Sequence, residues 1–151
     1  MKVVILPNIR SQYNVGAIFR TADAMGVNKI YLTGFTPTPL DRFGRPAEKI
    51  AKTALGAEKT IDWEYQADVL AVIKQLQNDV ISVVAVEQDE RSVELEKFKV
   101  PEKVAYIFGS ETEGLAKEIL AVVDSVVEIP MLGQKESLNV SVTAGIVLYH
   151  R

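Results

Sequence analysis

Short apolar runs alternate along the chain with stretches whose apolar residues recur every three or four positions. The runs at 2–6, 29–33, 59–64, 80–86, 104–108 and 125–129 are predicted strands. Val80 to Val86 is nearly all apolar, as in a strand covered on both faces. Helical spacing predicts helices over 14–25, 46–55, 66–77, 115–122 and 138–150. In the first, Val15, Ile18, Phe19 and Ala22 share a face, and Gly26 serves as a C-terminal cap. In the third, Val69, Leu70, Ile73 and Leu76 do the same. The last is rich in β-branched residues (Val140, Val142, Thr143, Ile146, Val147), which suit a strand as well as a helix. Trp63 closes a strand and is read as core. The alternation predicts an α/β fold, a mostly parallel sheet with helices on both faces, in one domain over 1–151.

Composition narrows the class. Of 151 residues 48% are hydrophobic, enough for a real core. No apolar stretch is long enough to span a membrane, and the opening Met1–Pro7 is too short for a secretory signal. The absence of cysteine excludes disulfides and thiolate metal sites and fits a reducing cytosol, so a cytoplasmic location is expected. A net charge of −3 argues against non-specific nucleic-acid binding, which needs a strongly basic surface. A local patch is still available: Arg42, Arg45, Lys49, Lys52 and Lys59 lie close together, although Asp41, Glu48 and Glu58 dilute them into an ordinary mixed-charge segment. His150, the only histidine, sits near the C-terminus and is read as a surface residue rather than a base.

Ligands of parallel sheets bind beyond the carboxyl ends of the strands. The polar and glycine-rich segments at 8–16, 109–114 and 130–139 each follow a predicted strand, so they are expected to gather there. The first brings amide and guanidinium groups from Asn8, Arg10, Asn14 and Arg20. Gly16 within a helix costs about 1 kcal/mol against alanine, which implies close approach by something. The plainer reading makes Asn14 a helix cap and pairs Arg20 with Asp23. The second segment sets Glu111 and Glu113 between Gly109 and Gly114, either at a ligand or as acidic residues opening a helix. In the third, Ser137 and Asn139 suit a helix entry or a ligand pocket.

Taken together and in order, N-x-R-x-x-x-N-x-G-x-x-x-R from Asn8, F-G-S-E-x-x-G-L from Phe108 and I-P-M-x-x-x-x-x-S-L-N-V-S from Ile129 resemble the SpoU/TrmH branch of the SPOUT methyltransferases. The resemblance spans nearly the whole chain. It implies methyl transfer from S-adenosylmethionine to a ribose 2′-hydroxyl of tRNA or rRNA, a homodimer, and a C-terminal deep trefoil knot that periodicity alone does not suggest. It implies catalytic roles for Asn14, Arg20, Glu111, Ser137 and Asn139. Gly109, Ile129, Met131, Leu138, Ser137 and Asn139 would hold the cofactor, with Gly34 in the same crevice. Asn8, Arg10, Arg42 and Arg45 are the candidate RNA contacts, the last two within the docking segment 37–59. The chain resembles the minimal members, in which the catalytic domain docks its own RNA.

No metal is implied, because a sulfonium is already an activated methyl donor. Arg20 cannot easily take the hydroxyl proton, since a guanidinium is always charged. Either a substrate phosphate clamped by Arg20 takes it, or water does while Arg20 steadies the alkoxide. The site is expected at a dimer interface, with Arg20 reaching the partner's pocket. Ser141, Ala144 and Gly145 give the last helix a small-residue face, for the partner or for its own sheet. Two other classes compete. A dehydrogenase is disfavoured because no G-x-G-x-x-G follows the first strand. A non-catalytic RNA-binding protein is disfavoured by the intact polar set.

Overall fold

The computed structural model describes every residue except Glu111, which lies outside the described residues. Among the described residues seven strands form one sheet: β1 Lys2–Pro7, β2 Lys29–Thr33, β3 Asp62–Gln66, β4 Ser82–Val86, β5 Val93–Glu94, β6 Val104–Phe108 and β7 Ser125–Glu128. Their order is β3-β2-β1-β6-β4-β7-β5, and every pairing is parallel. The helices are α1 Gln12–Ala24, α2 Glu48–Ala54, α3 Ala57–Thr60, α4 Val69–Asn78, α5 Lys117–Val122 and α6 Val140–Tyr149.

The two-residue period of the strands divides the core. Val4 and Leu6 of β1, with Tyr106 and Phe108 of β6, face a layer built from α1, α2, α3 and α6. Val3, Ile5, Ala105 and Ile107 face α4 and α5 on the other side. Helices therefore cover both faces, as the near-continuous apolar strands require.

α6 is helical despite its β-branched residues. Val140, Ala144, Val147 and Leu148 lie on one buried stripe, and Asn139 caps the helix. α1 begins earlier than its apolar pattern, because Ser11 rather than Asn14 caps it. Gly26 takes the left-handed conformation (φ 68°) just after α1 ends, as its C-terminal position predicts.

Two predicted strands shift. The run 59–64 opens in α3, with β3 starting only at Asp62. Leu55 and Gly56 turn left-handed there and launch the extra helical turn, and β3 is an edge strand whose exposed Asp62 weakens its apolar signal. Val80 belongs to the turn after α4, 80% exposed at φ 59°, so β4 begins later than the apolar run. The pattern also missed β5 and the short 3-10 turn Leu95–Lys97 after it. Trp63 is half-buried and packs against the larger core layer. His150 is not a free surface residue: it is half-buried, its Nε2 3.1 Å from the Phe98 carbonyl oxygen. No helix among the described residues is long and apolar enough to cross a membrane.

Candidate active site

β6, β4 and β7 are neighbours, so the segments that leave their carboxyl ends must converge. Beyond them lies a cavity of about 460 Å³. Gly109 and Gly114 shape one wall. A Cβ on Gly109 would meet the Gly114 carbonyl carbon at 2.5 Å and the Leu115 nitrogen at 2.8 Å, so the turn closes on itself only with glycine there. Gly114 is left-handed at φ 64°, and its N–H donates to the Ser110 carbonyl over 2.9 Å.

Glu87, just past β4, clasps this turn. Its Oε2 accepts from the Leu115 backbone N–H at 2.9 Å, and a Cβ on Gly114 would lie 2.5 Å from the same oxygen. Its Oε1 accepts from the Gln88 N–H, and the Gln88 side chain reaches across to the Glu136 carbonyl at 2.8 Å. Asp89, also in the lining, has its carboxyl held below the usual range by the Arg91 backbone N–H and then by the Arg91 guanidinium. With Glu113 and Glu128, the described residues of the lining carry four carboxylates against Lys117, an environment suited to a cationic ligand.

Of the residues expected from the sequence, Gly109, Ile129, Met131, Ser137 and Leu138 line the cavity. Asn139 stands beside them and joins the first and third segments: its Nδ2 donates to Asn14 Oδ1 at 3.2 Å. Its own Oδ1 accepts from the Ser141 N–H (2.9 Å) and hydroxyl (2.6 Å), which fixes the amide's orientation. Glu111 lies outside the described residues. Arg20 is exposed on α1 and is not part of the lining. It does not pair with Asp23, whose Oδ1 instead accepts from the Thr60 hydroxyl.

Gly34, expected in the cofactor crevice, is placed elsewhere and is braced by Asn8. Gly34 follows β2, two strands from β6, and lies outside the lining. It is left-handed, and a side chain there would overlap Asn8 Oδ1, which accepts from the Phe35 N–H. The two residues build a corner rather than touching the cavity. Arg10 lies at the rim, its Nη2 3.5 Å from Glu113 and its guanidinium 5.5 Å from the Phe35 ring centre. Arg42 and Arg45 lie over the exposed Phe43 ring at 4.7 and 5.0 Å, with Arg45 also bonded to Asp41 at 2.7 Å.

The close approach implied by Gly16 comes from α2. A Cβ there would overlap Thr53 Oγ1 and the Ile50 carbonyl. Sequence reasoning missed Glu87, Gln88 and Asp89. The available signal was position alone, since they follow β4 as the recognised segments follow β6 and β7. Among the described residues, no group of three or more acidic or histidine side chains is placed to hold a metal.

A parallel sheet helix-covered on both faces, with a ligand-sized cavity past three adjacent strand ends, defines an α/β domain that binds a small molecule at its carboxyl edge. The chain belongs to the SpoU rRNA Methylase family, whose profile matches residues 1–149. It is 32% identical over 146 residues to the 23S rRNA (guanosine-2'-O-)-methyltransferase RlmB of Neisseria meningitidis, covering 97% of this chain and 56% of that protein. It is 31% identical over 149 residues to the tRNA (guanosine(18)-2'-O)-methyltransferase of Thermus thermophilus, covering 97% and 71%. The AdoMet-bound rRNA methyltransferase from Sinorhizobium meliloti superposes with a TM-score of 0.87 at 28% identity, covering 99% of this chain and 54% of that one. A structure solved for 2-OH methylation of C/U34 on tRNA superposes at 0.80 with 26% identity, covering 99% and 92%. The chain thus spans about half the length of two of these proteins, 71% of the Thermus thermophilus protein and 92% of the last.

Proposed function

We propose that residues 1–151 form one catalytic unit that methylates a ribose 2′-hydroxyl of tRNA or rRNA with S-adenosylmethionine, as a cytoplasmic homodimer. The observation that carries this reading is the Asn14–Asn139 bond, which joins two motifs far apart in sequence beside residues that line a ligand-sized cavity. The cavity fits the cofactor. Its volume lies within the roughly 300–1,000 Å³ of small-molecule pockets, and its carboxylates suit a sulfonium and an ammonium.

Gly109, Ile129, Met131, Ser137 and Leu138 would hold the cofactor, and Asn139 would align the pocket's edge. When bound, S-adenosylmethionine supplies a methyl group already activated by its sulfonium, so no metal is required. The acceptor hydroxyl must lose its proton as the new bond forms. Arg20 has donors but no acceptor, so it clamps a substrate phosphate that receives the proton. Asn14 and Glu111 orient the ribose or Arg20. Supporting the homodimer, Arg20 stands outside the cavity of its own chain, where a partner's site could receive it.

Arg42 and Arg45 supply phosphate contacts within a segment whose five basic residues (Arg42, Arg45, Lys49, Lys52, Lys59) outnumber three acidic ones (Asp41, Glu48, Glu58). The knot belongs to the same proposal. It is supported by the interior position of β7, between β4 and β5, followed by the return of α6 onto the layer that holds α1. The decisive experiment incubates cellular RNA with labelled cofactor and analyses the nucleosides. A 2′-O-methylated nucleoside is expected; a base-methylated product or no incorporation would overturn the assignment.

A further inference from the structure

Next to the cavity rim is a second, shallow depression of about 400 Å³, lined by Arg10, Phe35 and Pro37. Phe35 is 54% exposed, yet its backbone is tied in place on both sides. Its N–H donates to Asn8 Oδ1 at 3.2 Å, and the Tyr65 hydroxyl donates to the Gly34 carbonyl at 2.8 Å. The next residue, Thr36, is buried; its hydroxyl donates to the Leu6 carbonyl (2.7 Å) and accepts from the Ile9 N–H (2.9 Å). Left-handed Asn8 and Gly34 turn the chain at this corner. The fold thus holds an aromatic ring out in solvent on a rigid mount, where it contributes little to the core.

We propose that this shelf is a nucleobase subsite: Phe35 and Pro37 stack an unpaired base of the RNA while Arg10 meets its phosphate or ribose. The inference rests on the reading of the chain as an RNA-modifying enzyme and adds that its substrate is single-stranded at the modified position. Three observations favour this occupant. The surface pairs an apolar plane with a cation, the combination that holds bases and backbone in single-strand sites. Arg10 spans from the Phe35 ring to Glu113, a residue of the cavity wall, so a base stacked there sits beside the reaction centre. The shelf lies on the strand-end side, at β1 and β2 next to β6. A base within a duplex is stacked on its neighbours and has no free face to offer.

The test measures binding of labelled single-stranded oligoadenylate, and of its duplex with oligouridylate, to the full chain at one salt concentration. Wild type, Phe35→Ala and Phe35→Trp are compared, with S-adenosylmethionine affinity followed separately by calorimetry. Phe35→Ala is expected to weaken single-strand binding about tenfold, the order of one base–aromatic stack. Phe35→Trp is expected to retain it, the duplex to bind more weakly, and cofactor affinity and melting temperature to stay as in wild type. Unchanged oligoadenylate binding in Phe35→Ala, a duplex that binds as tightly as the single strand, or a wild type that binds neither would overturn the subsite. If binding depends on Phe35 but calorimetry finds no cofactor affinity, the subsite stands and the methyltransferase reading falls.

Discussion

Tyr106 lies at the centre of the sheet, fully buried, and its hydroxyl has no hydrogen-bond partner among the described residues. Desolvation pushes the phenol up to about 12. The fold therefore holds the neutral form, and its contribution is intact below the ordinary value of 10.0, then lost as pH rises toward about 12. Tyr106→Phe removes an unpaired hydroxyl without altering the ring. It is expected to leave stability unchanged or raise it by about 1 kcal/mol in urea denaturation, and to lessen the alkaline loss. Arg20 is the opposite case, an exposed side chain to which we assign the phosphate clamp. Arg20→Lys keeps the charge but loses the bidentate fork, so turnover is expected to fall by about two orders of magnitude with cofactor affinity unchanged. Wild-type turnover in the lysine variant would remove the phosphate clamp. At this scale the sequence was legible where a residue's place between a strand end and a helix start supports the use of its type. Asn139 at a helix entry and Gly109 in a turn are such cases. Gly34 was read toward the cofactor crevice because a glycine serves a backbone corner as well as it serves a ligand.

At the scale of elements, glycine reports where backbones touch. α1 and α2 cross so closely that Gly16→Ala would drive a methyl into Thr53 and the Ile50 carbonyl. Overpacking of this kind costs about 1–3 kcal/mol, so the denaturation midpoint should fall without loss of the fold. The clasp of Glu87 on the glycine turn makes a separate prediction. Glu87→Ala leaves the Leu115 N–H without its acceptor, and the turn must then be ordered by the ligand itself. Calorimetry should show cofactor affinity weakened about tenfold in Glu87→Ala and partly restored in Glu87→Gln, which keeps an acceptor oxygen. Equal affinity in all three proteins would mean the turn is fixed without the carboxylate. Periodicity revealed the elements that bury a stripe, including α6, whose β-branched residues left it ambiguous until Asn139 and the buried Val140–Leu148 stripe were seen together. It misjudged bounds where an element buries little, as at the edge strand β3, and missed α3 and two-residue β5. It also could not show Glu87, because a hydrogen bond from a side chain to a distant backbone N–H leaves no spacing to read.

For the molecule as a whole, the open question is whether one chain holds a complete site. Asn14 and Asn139 meet within a single chain beside the cavity-lining Leu138 and Val140, while Arg20 is exposed about two turns further along α1. Under the proposed dimer, each site takes its cofactor pocket from one subunit and its arginine from the other. Two-fold symmetry makes that exchange reciprocal. Arg20→Ala and Asn139→Ala homodimers should then each be inactive, since every site in each lacks one component. Co-expressed with different tags, the two variants assort at random, and half of the dimers are mixed. Each mixed dimer has one site with both defects and one with neither. Recovered activity should therefore approach about a quarter of wild type, with the mixed species purified through both tags giving about half. Asn139→Ala also removes the α6 cap, worth about 1 kcal/mol, so Ser137→Ala provides a second partner that leaves the cap in place. If arginine acts within its own chain, both sites of a mixed dimer are defective, and neither pairing recovers activity.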